Sequence, residues 1–180
     1  KFKAMKRKLI EYLKTKPRIF DFVRNFQPSE GPEKVFFDDF SRSHDKKVNF
    51  IQIGANDGIR MDPIRKYIVR DHWNGILVEP LPLIFEELKA NYRHVTKSEL
   101  TFVNAAITSS EESLIFWTFS DEFLETLSNE ERLFYLRKSS FQKEHVLRLV
   151  ESRADAEDCL RSIEVQCITF NQLLERHWNG

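Results

Sequence analysis

A short apolar run that stops at a glycine is the feature that most constrains this chain. Residues Asn49–Gly58 read NFIQIGANDG, and two of the five glycines of the chain, Gly54 and Gly58, fall within them. This pattern predicts a buried strand that ends in a tight loop, where a ligand can approach the backbone. In open α/β sheets, ligands bind just beyond the carboxyl ends of the strands. The loop from Gly54 to Gly58 is therefore the first candidate binding site.

From residue 48 onward, the sequence alternates between strand-like and helix-like segments. The predicted strands are Val48–Ile53, Gly75–Glu79, Leu100–Ile107, Ser113–Phe119 and Ser162–Ile168. The predicted helices are one that opens at Asp62-Pro63, one over Leu83–Tyr92, two pieces within 121–153 divided near Ser139-Ser140, and a last one capped by Thr169 and Gln172. We expect Ser113–Phe119 to run antiparallel to the strand before it. The alternation predicts a parallel sheet with helices on both faces and right-handed crossovers.

The first 30 residues are predicted to form a helical segment, followed by one domain over residues 31–180. Residues 1–19 hold eight basic side chains and one acidic side chain, and Phe2, Met5, Leu9, Tyr12 and Leu13 recur among them at helical spacing. Such a helix either touches anionic lipid or packs on the domain with a solvated basic face. We favour packing. A linker is expected over residues 27–32, and Val35–Phe40 is either a short aromatic helix or an irregular segment.

Composition excludes several classes of function. The 180 residues are one domain's worth, and a net charge of zero points to no particular charged partner. Cys159 and Cys167 have no Cys or His at zinc-site spacing, so we expect no metal and a reduced, cytoplasmic protein. No apolar run approaches the roughly 20 residues of a membrane span. Basic residues interleaved with aromatics are missing from the predicted sheet, which argues against nucleic acid.

The residues of the glycine loop narrow the class of ligand. The spacing Gly54-x-x-x-Gly58 is not the G-x-G-x-x-G of dinucleotide folds, and the loop lacks the lysine of a phosphate-binding loop. Asp57 adds negative charge, so a pyrophosphate is a poor match. A ligand with a positive centre, or with amine and hydroxyl donors, fits better. The alternative is a plain strand-to-helix turn, and the loop residues alone leave the two interpretations even.

Two further strand ends are predicted to meet this loop. Glu79 ends the second strand, where a carboxylate can accept hydrogen bonds from both hydroxyls of a ribose; the alternative is a surface glutamate before a proline turn. Asn104 follows the third strand, and its amide can donate to and accept from a purine edge. Ala105 beside it leaves room for a ring. An asparagine that satisfies local backbone groups is an equally good interpretation of Asn104.

Together these segments resemble the FkbM-type methyltransferases, which are class I S-adenosylmethionine-dependent enzymes. The resemblance runs from about residue 48 to 177 and is carried by Phe50–Gly58, Asp62-Pro63-Ile64, Leu77–Pro82, Val103–Ile107 and Val165–Leu174. It implies a Rossmann-like class I methyltransferase sheet with helices on both faces. The family continues into a further strand, so we expect this chain to be the N-terminal part of a longer sheet.

The resemblance also assigns roles to individual residues. Gly54, Ala55, Asn56 and Gly58 would wrap the methionine end of S-adenosylmethionine, Glu79 would hold the ribose, and Asn104 with Ala105 would border the adenine. Pro80, next to Glu79, is counted with this site. Gln52 stands where many class I enzymes have an acidic residue, and we expect Asp57 to offer the missing charge to the cofactor's amino group.

The expected activity is O-methylation of a hydroxyl on a sugar or other natural product, with a small-molecule or glycan acceptor. No catalytic base is assigned. His145 lies in the insert and could approach the site, although an exposed helix histidine is the favoured interpretation; His72 is predicted to lie in a turn. Two other hypotheses stay open, namely a nucleotide- or NAD-binding protein of related topology and a non-catalytic interaction domain.

Overall fold

The computed structural model describes residues 8, 10, 12–25, 32–60, 62–110 and 112–178. These residues form a mixed α/β structure that divides into two compact units. The first unit runs to Asn104 and takes up the chain again from Leu174; the second is Ala105–Leu173.

The first unit contains a three-stranded parallel sheet in the order β1-β2-β3. Its elements are α1 (Pro17–Asn25), α2 (Pro32–Ser43), β1 (Asn49–Ile53), α3 (Arg65–Asp71), β2 (Asn74–Val78), α4 (Pro82–Tyr92) and β3 (Leu100–Val103). In this register, Ile53 lies beside Val78, and Val78 lies beside Val103. The three strands therefore end side by side at one edge of the sheet.

The core of the first unit lies on one face of this sheet. Phe50 of β1 and Leu77 of β2 point to the same face, because side chains alternate along a strand and Gln52 pairs with Leu77. They belong to one buried cluster with residues of α3 and α4, which include Tyr67 and Leu88. Helices α3 and α4 thus cover the same face.

The second unit has two small sheets. Its elements are β4 (Ala106–Ile107), β5 (Leu114–Phe119), α5 (Asp121–Glu125), α6 (Asn129–Leu136), α7 (Lys143–Leu147), β6 (Leu160–Val165) and β7 (Cys167–Ile168), and α8 (Phe170–His177) runs across the boundary between the units. Strands β4 and β7 are parallel, whereas β5 and β6 are antiparallel.

Several sequence-based predictions are confirmed. Strands occupy 49–53 and 74–78 within a residue of the predicted bounds, and the parallel pairing follows from the alternation of strands and helices. On α4, the predicted stripe of Ile84, Leu88 and Tyr92 is buried. At the start of α8, the amide of Thr169 donates to the side chain of Gln172 and the amide of Gln172 donates to Thr169 Oγ1, which is the predicted capping box.

Five other predictions are wrong in detail. Ser162–Ile168 is not one strand, because β6 ends at Val165 and Cys167–Ile168 forms β7 in another sheet. Leu100–Ile107 is not one strand, because the chain leaves the first sheet after Val103 and enters another at Ala106. Strand β5 is antiparallel to β6, a strand formed about forty residues later, rather than to its predecessor. Three helices, not two, lie within 121–153. Helix α3 begins at Arg65, and Asp62 accepts hydrogen bonds from the amides of Ile64 and Arg65.

The N-terminal predictions are tested only in part. Pro17 begins α1, which belongs to the first unit, and Asp21 of this helix is buried. Of the five apolar residues on which the packing prediction depends, Tyr12 is exposed. The aromatic segment 35–40 lies within α2, so the helical alternative is confirmed there. Phe2, Met5 and Leu9, and residues 27–31 of the expected linker, lie outside the described residues, whereas Pro32 begins α2.

Candidate functional site

The predicted site residues of the first unit follow neighbouring strand ends. The amides of Gly54 and Ala55 both donate to the carbonyl of Val78, at 2.9 Å each, and the amide of Glu79 donates to the carbonyl of Val103 at 3.0 Å. The glycine loop, Glu79 and Asn104 therefore lie next to one another at the carboxyl edge of the parallel sheet. This is the position where ligands bind in open α/β sheets.

Three residues of the loop have left-handed backbone conformations. The φ angles are +72° at Gly54, +50° at Asn56 and +66° at Gly58. A Cβ atom built on Gly54 would meet nothing within 4 Å, so this position is open to a ligand. A Cβ on Gly58 would clash with the ring of Tyr92. Glycine is therefore required at position 58 by the packing of α4, and of these two glycines only Gly54 leaves space for a ligand.

Glu79 is a buried carboxylate held by backbone amides. It is 4% exposed; Oε2 accepts from the amide of Asn56 at 2.9 Å, and Oε1 accepts from the amide of Leu81 at 3.1 Å. Burial raises the pKa of Glu79, the two amides oppose that rise, and the charge of Asp57 adds to it. No lysine or arginine in the described part of the chain pairs with this carboxylate.

Asn104 closes the third strand end by binding the loop after β2. Its Nδ2 donates to the carbonyl of Glu79 at 2.7 Å and to that of Pro80 at 3.1 Å. Both amide hydrogens thus satisfy local backbone groups, which leaves Oδ1 as the atom suited to accept from a ligand. Ala105, the next residue, is buried and belongs to the second unit.

The side chain of Asp57 is buried, and its charge is paired. Its side chain is 1% exposed, Oδ1 accepts from the amides of Ile59 and Arg60, and Oδ2 pairs with Arg60 Nη1 at 2.7 Å. We expected Asp57 to offer its charge to a cofactor amino group. In the structure that charge is already matched by Arg60, because Asp57 caps the turn that follows the loop.

Gln52 lies on the sheet face that α3 and α4 cover. Its Nε2 is 3.4 Å from Asp62 Oδ1, and Asp62 Oδ2 accepts from the hydroxyl of Tyr92 at 3.0 Å. The Oε1 atom of Gln52 is buried and has no hydrogen-bond partner among the described residues. A buried acceptor without a donor is costly, so this atom suits a ligand or water that can donate to it.

Arg65 is a residue next to the candidate site that the sequence analysis did not identify. The side chain is fully buried; Nε and Nη2 pair with the carboxylate of Asp21 at 2.7 and 2.9 Å. Nη1 donates to the carbonyl of Gly58 and Nη2 to that of Asn91. The guanidinium also lies 4.4 Å from the ring centroid of Tyr92. Arg65 thus ties helix α1 to the end of the glycine loop.

The electrostatic balance around Arg65 favours its charge. Burial lowers the pKa of the guanidinium, but the hydrogen bonds to Asp21 and the charges of Asp21 and Asp62 outweigh burial, so its pKa stays above the ordinary value. His94 Nε2 lies 2.8 Å from Asp21 Oδ2 and completes the surroundings of this carboxylate. The only sequence signal for the network is an aspartate within the apolar stretch Ile19–Phe26.

The remaining sequence candidates lie elsewhere. His145 is exposed on α7 of the second unit, and His72 is exposed where α3 ends, with φ at +62°. Among the described residues, no group of three His, Cys, Asp or Glu side chains could hold a metal ion, and none of the helices described is long and apolar enough to cross a membrane. A polar cavity of about 210 Å³, lined by Asn49, Asn74 and Glu99, lies where the strands begin, opposite the candidate site.

Comparisons with family models, with curated proteins and with solved structures found no match to this chain. The resemblance to FkbM-type methyltransferases therefore stays a prediction. It depends on the segments quoted above and on the chemistry of the residues that those segments bring together.

Proposed function

We propose that this chain binds S-adenosylmethionine at the carboxyl edge of its parallel sheet and is an S-adenosylmethionine-dependent O-methyltransferase. The proposed binding residues are Gln52, Gly54, Ala55, Asn56, Gly58, Glu79, Pro80 and Asn104. Asp57 supports the loop through Arg60 in this proposal and does not touch the ligand.

The environment of Glu79 carries the proposal. A buried carboxylate with a raised pKa and no cationic partner among the described residues is best stabilised by donors from a ligand. Each of its oxygens accepts one backbone amide and has capacity for a second donor. The two hydroxyls of a ribose supply such donors at the end of a second strand.

The rest of the site fits the same ligand. The open space at Gly54 lies next to Glu79, and the buried Oε1 of Gln52 is an acceptor suited to an ammonium group. A polyphosphate is a poorer fit, because the two cations at the loop, Arg60 and Arg65, are already paired with Asp57 and Asp21. When bound, S-adenosylmethionine supplies a methyl group on a sulfonium centre. The residues described here hold and orient that group, and much of the acceleration of such a transfer comes from alignment.

Calorimetric titration with S-adenosylmethionine, S-adenosylhomocysteine and NAD tests the proposal. We expect the first two to bind and Glu79→Gln to weaken both by about 1.5–3 kcal/mol, the scale of a hydrogen bond to a charged group. Glu99→Gln is the matched control, because Glu99 is exposed at the opposite edge of the same sheet. Melting curves of each variant verify that the fold is kept.

The other outcomes are equally informative. Absence of binding to S-adenosylmethionine and S-adenosylhomocysteine at millimolar concentration would rule out the methyltransferase. Binding of NAD alone would support the nucleotide-binding alternative, and binding of none of the three would leave an interaction domain. Unchanged affinity in a folded Glu79→Gln variant would show that Glu79 does not hold the ribose.

A further inference from the structure

A cavity in the first unit lies between the start of α1 and the end of α4, and none of the residues that line it belongs to the candidate cofactor site. Its volume is about 410 Å³. Lys16, Arg18 and Ile19 line it from the α1 side, and Ala90, Arg93 and His94 line it from the α4 side. Four of these six residues are basic or can become so, and none of the residues that line the cavity is acidic.

The charges at this cavity are largely unmatched. Lys16, Arg18 and Arg93 are exposed, and none of them has an ion-pair partner in the described part of the chain. Asp21 binds His94 of the lining, but its carboxylate is buried and is already paired with Arg65. The cavity therefore presents positive charge to solvent and favours an anionic ligand.

Apolar surface adjoins these charges. Ile19, within the lining, is 52% exposed, and Tyr12, which precedes α1, is 62% exposed. Large exposed apolar side chains beside lysine and arginine are typical of segments that lie at a membrane interface. A soluble anion would use the basic groups but would leave Ile19 and Tyr12 in water. The combination favours a ligand that is anionic at one end and apolar at the other.

We propose that this cavity, which we call the basic cavity, binds the phosphate of an anionic phospholipid and docks the first unit on a membrane surface. Eight basic residues against one acidic residue within positions 1–19 add to the attraction. Helix α1 can pack on the domain and contact lipid at the same time. Asp21 makes the contact with the domain, whereas Lys16, Arg18 and Ile19 would make the contact with lipid. The proposal is independent of the cofactor site.

Co-sedimentation of the full chain with lipid vesicles tests the basic cavity. We expect binding to vesicles that contain phosphatidylserine or phosphatidylinositol phosphate, weak binding to phosphatidylcholine alone, and loss of binding as salt is raised. The double variant Arg18→Gln with Arg93→Gln is expected to bind about 30-fold more weakly, since each basic side chain near an anionic surface contributes about fivefold. Lys47→Gln with Arg148→Gln is the control. Both residues are exposed and lie outside the cavity, and the two substitutions remove the same amount of charge as the test variant.

A second variant separates lipid from a soluble anion. Ile19→Ser leaves the charges intact, and we expect it to weaken vesicle binding about tenfold while inorganic phosphate, followed by calorimetry, is bound as before. Equal losses in the two double variants would place the binding outside the basic cavity and overturn the proposal. Vesicle binding unaffected by Ile19→Ser, equal binding to neutral vesicles, or a preference for single-stranded RNA over vesicles would also refute it.

Discussion

Removal of the Asp21 carboxylate is the most direct perturbation of the buried network that holds helix α1. In Asp21→Ala, the Arg65 guanidinium keeps its carbonyl partners but loses the anion that receives its Nε and Nη2 hydrogens. Side-chain exposure is 0% for Arg65 and 5% for Asp21, so solvent does not replace the missing partner. The variant therefore leaves a charge buried without its counter-ion.

The expected cost is large on the scale of protein stability. Breaking a buried ion pair by deleting one partner costs about 3–5 kcal/mol, whereas a typical domain is stable by about 5–15 kcal/mol. For a chain of this size, that corresponds to a fall in melting temperature of about 6–20 °C. Arg65→Met should lower the free energy of unfolding by a similar amount. The substitution leaves His94 as the remaining partner of the Asp21 carboxylate and removes the hydrogen bond to the carbonyl of Gly58.

A double-mutant cycle in urea separates the pair from its surroundings. We expect Asp21→Ala with Arg65→Met to cost clearly less than the two single changes added together, because neither charge is then left alone. Asp155→Ala is the control: Asp155 forms a comparable ion pair with Arg153 in which both side chains are about half exposed, and such pairs contribute little. Additive single effects, or a loss in Asp21→Ala as small as that in the control, would refute the reasoning.

Three further predictions concern the site itself. Burial raises the pKa of Glu79 above its usual 4.5, so the folded chain binds a proton on this carboxylate more tightly than the unfolded chain does. The contribution of Glu79 to stability should therefore fall as the pH rises through the window just above 4.5. Glu79→Gln should remove that slope from melting temperatures measured against pH. Gly58→Ala should lower the free energy of unfolding, measured in urea, by about 2–4 kcal/mol, since a Cβ there combines a left-handed backbone with a clash against Tyr92. Gly54→Ala should lower it by only about 1–2 kcal/mol, because the backbone is left-handed but the Cβ meets no other atom. Equal losses would contradict the packing of Gly58 against Tyr92. Tyr92→Phe removes the hydroxyl bound to Asp62 and should cost about 1 kcal/mol in the same assay, with no loss expected if the hydroxyl makes no bond.

Local patterns were sufficient to predict most of the first unit. Apolar periodicity located β1, β2 and α4, and the glycine that ends β1 located the loop. The rule that parallel strands share a carboxyl edge then placed Glu79 beside that loop, as the register of β1 with β2 shows. These predictions hold because each depends on a few neighbouring residues or on a rule that is independent of sequence.

Predictions that depend on distant residues were less successful. Residues 100–107 are continuously strand-like, and nothing local in them reveals that the two halves pair with different partners, β2 and β7. The antiparallel partner of β5 is likewise supplied by a segment much later in the chain. A neighbour in the sequence can also be hard to weigh: Arg60, three residues after Asp57, pairs with it and competes with the role that we expected for Asp57 toward a ligand.

Arg65 also anchors helix α1 in the interior of the first unit through Asp21. Its guanidinium binds Asp21 of α1 on one side and the carbonyl of Gly58 on the other, so the stability of the helix and the order of the loop are thermodynamically linked. A ligand that orders the loop should slow hydrogen exchange in α1, and a shortened protein that begins at the predicted boundary near residue 30 should bind that ligand less well. Truncation there is equivalent to a substitution in the core, because it removes the counter-ion of a buried arginine.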